Sequence, residues 1–206
     1  MISNEKLKSI LDQYGQHADD RCLETIARYI ALLLRWNKKI ALTTVTNEEE
    51  IVRFHFGESI FALSAVPITN GRLADVGTGP GFPGMALAIF CKELEVTLIE
   101  SNLKKAAFLN ELVRELAIKN VLVVGQRMEN CRSIEHFNFV CARALGNYSD
   151  FLDWGVRSLS ADGKVVLWLV ANDANEIKKD GRFSWDPQVE IPSAKQRVLL
   201  IGSKAH

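Results

Sequence analysis

The sequence predicts an α/β fold: a Rossmann-like, mostly parallel sheet of seven strands with an antiparallel edge, behind an N-terminal helical extension. Three observations predict it. Apolar residues in the first third recur at helical spacing. Beyond Gly71, short β-rich runs alternate with helical segments over short connections. The first of those runs ends in a turn with four glycines in eight positions, residues 77–84. The division falls near Pro67, giving a helical extension over 1–68 and a sheet domain over 69–206.

In the extension, Leu7, Ile10, Leu11 and Tyr14 share a helical face, and Gly15 is a natural stop. A second stripe runs Leu23, Ile26, Ala27, Ile30, Leu34. A third helix starts at Asn47, a good N-cap. Glu48, Glu49 and Glu50 fill its first turn, where the helix dipole favours acids, and it is expected to continue to Pro67. The sheet domain then reads strand 72–76, helix 83–91, strand 96–100, helix 104–117 and strand 121–124. It continues with strand 137–141, helix 150–159, strand 165–170 and a polar helix from about Asn172. Residues 189–191 and 197–201 are too close for a crossover helix and predict an antiparallel hairpin.

Composition narrows the function. The chain has 206 residues, 48% of them hydrophobic, with 25 basic and 25 acidic side chains. Zero net charge excludes a protein that works by general attraction to polyanions. Split at Gly71, the charges are 8 basic and 9 acidic before it, 17 and 16 from there on, so neither part is a basic arm. The longest uncharged stretch, residues 76–91, is shorter than the ~20 apolar residues of a spanning helix. No secretory signal is visible at the N-terminus. Cys22, Cys91, Cys131 and Cys141 lie 69, 40 and 10 residues apart, which suits neither a zinc site nor a disulfide framework. The expectation is a cytoplasmic monomer with reduced cysteines, no metal and no membrane association.

The turn itself reads Asp75-Val-Gly77-Thr-Gly79-Pro-Gly81-Phe82-Pro-Gly84. Glycines at alternate positions bring a ligand against bare main chain, and the N–H groups of the next helix face it. Gly79, Gly81 and Gly84 satisfy the dinucleotide GxGxxG pattern, so a nicotinamide-dependent oxidoreductase is one reading. Asp75 favours another. A carboxylate beside the loop repels a pyrophosphate, whereas S-adenosylmethionine presents an ammonium and a sulfonium. Glu100, 19 residues beyond Gly81, ends the second strand, where an acid accepts hydrogen bonds from both ribose hydroxyls of either cofactor.

Methyl transfer requires a nucleophile held in line with the methyl group. Beside it, after the fourth strand, the chain reads Phe139-Val-Cys141-Ala-Arg143. It lacks the Asn/Asp-Pro-Pro-aromatic run that holds exocyclic amines and the Pro-Cys pair that attacks pyrimidines; Cys141 reads as a buried strand cysteine. A ring nitrogen with a free lone pair, such as guanine N7, needs no general base. Arg143 is then the candidate catalytic residue, its guanidinium reaching base or phosphate acceptors. Arg127 and Glu129 follow the third strand, near the adenine end of such a cofactor.

The run from Asp75 to Gly84 resembles the cofactor motif of the bacterial RsmG (GidB) methyltransferases. Trp36-Asn37, Leu42-Thr43, Arg53, His55, Glu100-Ser101, Lys104-Lys105, Phe108-Leu109, Arg127-Met128-Glu129 and Ala142-Arg143-Ala144 extend the resemblance over essentially the whole chain. It implies a class I S-adenosylmethionine-dependent methyltransferase fold and transfer of a methyl group to guanine N7 of 16S ribosomal RNA, with the small ribosomal subunit as partner. It further implies that Gly77, Phe82, Met128, Glu129 and Arg143 line the cofactor site and that Lys104, Lys105, Arg127 and Arg143 face RNA. His55 becomes a possible pocket residue, with a structural role the leading reading. Four positions depart from the family pattern. Leu169-Val170-Ala171 stands where a Leu-Lys-Gly run is usual, so the lysine is absent, Glu58 replaces an Asp, and Gly57 replaces a bulky apolar residue. A diverged member acting on another substrate is the alternative these departures raise.

Overall fold

The computed structural model describes residues 2–131 and 136–205. The extension opens with α1 (Asn4–Asp12) and α2 (Asp20–Asn37). Ser3 and Asp19 cap them, each side chain accepting from a backbone N–H of the first turn. Asn37 then ties down the loop that follows. Its Oδ1 accepts from Leu42 N and Thr43 N, and its Nδ2 donates to the Thr43 carbonyl.

The continuous third helix is not what forms. After α3 (Glu48–Ile51) the chain widens into a π turn, Val52–Gly57, before α4 (Glu58–Ile60) and α5 (Ala62–Ala65). The N–H of Glu58 donates to the Arg53 carbonyl, five residues back. Such wide turns collect at functional sites. Gly57 permits this one: a Cβ there would come within 2.3 Å of the Tyr14 ring, which is buried and fills the space a larger residue would take.

The sheet runs β1 (Gly71–Val76), α6 (Gly84–Phe90), β2 (Leu94–Ile99), α7 (Leu103–Glu115), β3 (Val121–Val124) and β4 (Phe137–Arg143). It continues with α8 (Tyr148–Ser158), β5 (Leu159–Val170), α9 (Ala171–Ile177), β6 (Phe183–Trp185), β7 (Val189–Glu190) and β8 (Arg197–Lys204). Strand order is β3-β2-β1-β4-β5-β8-β6, a path of seven, with the two-residue β7 pairing beside β8 as an eighth strand. Pairing is parallel from β3 through β5 and antiparallel around β8. The expected pairing of 189–191 with 197–201 is present, Val189 opposite Leu199. The short β6, which alternation alone does not announce, flanks β8 on its far side.

Order reverses between β1 and β4, and the carboxyl ends of these strands open the crevice where α/β sheets bind ligands. One apolar cluster joins α1, α2 and the π turn to the α6–α7 face of the sheet, so the extension is packed onto the domain beside that crevice. No described helix is long and apolar enough to cross a membrane.

Candidate active site

The glycine turn follows β1 directly. Gly77, Gly79 and Gly81 have φ of 68°, 57° and 108°, conformations that L side chains resist. They nevertheless serve different purposes: a Cβ at Gly77 would lie 2.8 Å from Leu145 Cδ1. A Cβ at Gly79 would meet only the Gly77 carbonyl, at 4.0 Å, so this side of the turn lies open to a ligand. A Cβ at Gly81 would lie 2.5 Å from the Tyr29 hydroxyl, and one at Gly84 2.8 Å from Asp75 Oδ2. Gly81 therefore makes room for the tyrosine seated against it.

Asp75 is fully buried and shapes the loop from beneath. Its Oδ2 accepts from Thr78 Oγ1 at 2.6 Å and from Gly84 N at 2.7 Å. Its Oδ1 has no hydrogen-bond partner among the described residues, and Cys141 stands opposite Asp75 on the neighbouring strand. Burial pushes the carboxyl up from 3.8 to about 6, opposed by the bonds from Thr78 and Gly84. Cys141 is buried too, and burial, then the Asp75 charge, hold its thiol well above the usual range, which removes it as a nucleophile.

Glu100, at the end of β2, accepts from Gly79 N at 3.0 Å through Oε2 and from Asn102 N at 2.7 Å through Oε1. Its carboxylate is thus held against the main chain of the turn. Asn102 also caps α7, accepting from Lys104 N and Lys105 N. Lys104 is exposed and Lys105 half-buried. Arg127 and Glu129 are exposed in the short turn after β3, whereas Met128 between them is buried against the core.

The extension seats an aromatic stack on the turn. Phe82 lies parallel to Tyr29, centroids 5.2 Å apart, and to His55 at 4.9 Å, with Phe56 edge-on to both Phe82 and Tyr29. The Tyr29 hydroxyl donates to the Pro80 carbonyl at 2.6 Å. Phe82, expected to line the cofactor site, is buried in this stack. His55 Nε2 lies 2.9 Å from Thr43 Oγ1, which also accepts from Val45 N. Burial pulls the imidazole down from 6.5 to about 4, helped by the charges of Arg143 and Arg197. His55 is a neutral structural histidine at physiological pH.

Asp75 and His55 titrate with opposite effect on stability. The folded state keeps a proton on Asp75 that the unfolded chain has shed, so this group makes stability fall as pH rises from about 4 to 6. The unfolded chain protonates His55 where the folded state refuses, so this group makes stability fall as pH drops from 6.5 to about 4. Each amounts to about 3 kcal/mol. Across pH 4–6.5 the two nearly cancel in the parent. Urea unfolding of Asp75→Asn is expected to show stability rising with pH over that window, and His55→Gln stability falling. Parallel slopes in the two variants would contradict this assignment.

Arg143 is no solvated strand-end residue. Its side chain is 15% exposed and donates from Nη2 to Glu58 Oε2 at 2.8 Å. Burial lowers the guanidinium from its ordinary value while the Glu58 charge opposes the change. Glu58, 1% exposed, also accepts from Arg197 Nη1 through both oxygens, at 2.8 and 2.7 Å, and its backbone carbonyl accepts from Trp168 Nε1. Arg143 Nη1 is buried with no partner. Reading the sequence gave no role to Arg197 and marked Glu58 only as a departure. The signal for Glu58 was a lone charge in an otherwise uncharged stretch, 56–63. A separate cavity of about 460 Å³ lies at the amino ends of the strands, among Cys22, Thr25, Phe90, Lys92 and Lys119, and shares no residue with this site.

The family model described as rRNA small subunit methyltransferase G (GidB) matches residues 22–196. The "Ribosomal RNA small subunit methyltransferase G" of Roseiflexus castenholzii is 35% identical, the match covering 96% of this chain and 89% of that protein. The protein of the same name from Marinomonas sp. is 37% identical over 92% and 91%. Among solved structures, a precorrin-6y C5,15-methyltransferase from Geobacter metallireducens matches with a TM-score of 0.60 and 16% identity, covering 80% of this chain and 91% of that one. At that identity the likeness concerns the fold, a class I methyltransferase sheet.

Proposed function

The chain belongs to the rRNA small subunit methyltransferase G family, and from that premise we propose that it methylates N7 of a guanine in 16S ribosomal RNA, with the small subunit as its substrate particle. The observation that carries the site assignment is the open side of the turn at Gly79, together with the Glu100 carboxylate bonded to the Gly79 N–H. This donor set fits S-adenosylmethionine: bare main chain for close approach, an acid for ribose hydroxyls, and the Asp75 charge beneath the loop in place of any cation for a pyrophosphate. Gly77, Gly79, Glu100 and the Met128-Glu129 turn would hold the cofactor, which supplies a methyl group on a cationic sulfur.

The chain's own groups then have a limited task. The N7 lone pair forms the new C–N bond as the C–S bond breaks, so no proton moves and no general base is required. A neutral His55 and a buried Cys141 thiol are consistent with that. Positive charge passes from sulfur to the guanine ring. A bare guanidinium beside that ring would oppose the transfer, and Glu58 neutralises Arg143 at that place. Arg143 would orient the base or its phosphate, with Lys104, Lys105 and Arg127 as outer RNA contacts.

Small subunits from a strain lacking the modification, incubated with labelled S-adenosylmethionine, are expected to acquire label recovered as 7-methylguanine. Arg143→Lys should lower the rate at least tenfold, since an ammonium lacks the planar fork. Cofactor binding with no label in the RNA would overturn the reading.

A further inference from the structure

Val170, 44% exposed, leaves the carboxyl end of β5 without a cation, but strand register sets Arg197 directly opposite it across β8. Directly paired residues present their side chains on one face of the sheet. The two arginines and one glutamate of the Glu58 cluster sum to a single positive charge, in a chain whose net charge is zero. The donors left over are also unevenly placed. Arg143 offers a buried, unpartnered Nη1, while Arg197 is 44% exposed, gives only Nη1 to Glu58, and lies over the Phe54 ring, 5.9 Å from its centroid. A guanidinium carries five N–H donors, so most of Arg197's capacity points to no protein group among the described residues.

We infer that Arg197 is a substrate-binding residue that holds a backbone phosphate of the RNA, and that Glu58 is the positioning residue that yokes it to Arg143. The inference rests on the RNA reading above and deepens it. Glu58 takes one edge of each guanidinium and leaves the other edges for the substrate. The pair forms a clamp with net charge +1, suited to one phosphate. This is how a neutral chain holds RNA: through one placed pair in a crevice and not through a basic face. The charge missing from β5 is supplied by the neighbouring strand.

The test uses the full-length protein, small ribosomal subunits lacking the modification, and two readouts. Subunit binding is measured against salt, and methyl transfer at saturating cofactor. Arg197→Ala leaves Glu58 paired with Arg143, so the fold and S-adenosylmethionine affinity should be unchanged. Subunit affinity should fall about five- to tenfold, and the log–log salt slope by about one. KM for subunits should rise with kcat little altered. Val170→Lys added to Arg197→Ala should restore much of the affinity and the slope, because the ammonium enters from the paired position on the same face. Unchanged affinity and slope in Arg197→Ala would overturn the clamp, even if the parent methylates subunits. A parent that binds subunits with the expected Arg197 dependence yet transfers no methyl would overturn the methylation reading and leave the clamp standing.

Discussion

Gly81→Ala is expected to cost roughly 2–5 kcal/mol of stability and to weaken S-adenosylmethionine binding. Two terms add. The φ of 108° at this position is strained for any L residue, at about 1–3 kcal/mol. The added Cβ would also sit 2.5 Å from the Tyr29 hydroxyl and 3.2 Å from Leu109 and Met85 side chains, and such overpacking costs about 1–3 kcal/mol. Tyr29 cannot easily withdraw. It is fully buried, stacked on Phe82 and bonded to the Pro80 carbonyl. The clash therefore moves the turn itself, and with it Gly79 and Glu100. Tyr29→Phe should relieve the steric term and leave the backbone term. The double variant is then more stable than the sum of the single effects by about 1 kcal/mol or more, as urea unfolding would show. Gly146→Ala, with nothing within 4 Å of the built Cβ, should be silent. Strict additivity of Gly81→Ala and Tyr29→Phe would show that the tyrosine does not set the turn.

That coupling marks where the sequence was legible and where it was not. The turn could be read because its information is local: strand, glycines and helix start are contiguous, and each glycine announces a backbone that bulkier residues refuse. The alternation of strands and helices is legible for the same reason. What Gly81 makes room for depends on Tyr29 of α2, some fifty residues earlier, and no spacing rule contains it. The place of Asp75 at a strand end was visible and its burial was not. The π turn escapes detection because the apolar stripe on either side of it is continuous. The Glu58 cluster is the extreme case, joining residues 85 and 139 positions apart. Val170 looked like a lost charge along the chain. Across the sheet it faces Arg197.

Glu58→Ala is the variant that separates what this cluster does for the fold from what it does for the substrate. Removing the carboxylate strands the buried Arg143 guanidinium without a counter-charge, and breaking a buried pair in this way costs about 3–5 kcal/mol. Glu58→Gln should lie between, keeping acceptor geometry while losing the charge. Yet the cluster is a poor device for stability. Arg143 Nη1 is buried and unpaired, and an unmade hydrogen bond of that kind costs about 1–3 kcal/mol, more on a charged group. Apolar residues of similar volume often replace a buried pair at no loss. Glu58→Leu combined with Arg143→Leu should therefore recover most of the stability lost in Glu58→Ala, measured by urea unfolding, while methyl transfer to small subunits stays at background. Recovery of both stability and transfer would mean that the cluster has no part in catalysis. Recovery of neither would mean that the ion pair is itself a principal brace between the helical extension and the sheet. The buried donor left without a partner favours the first-stated outcome, because a brace under selection for stability alone has no use for an empty N–H.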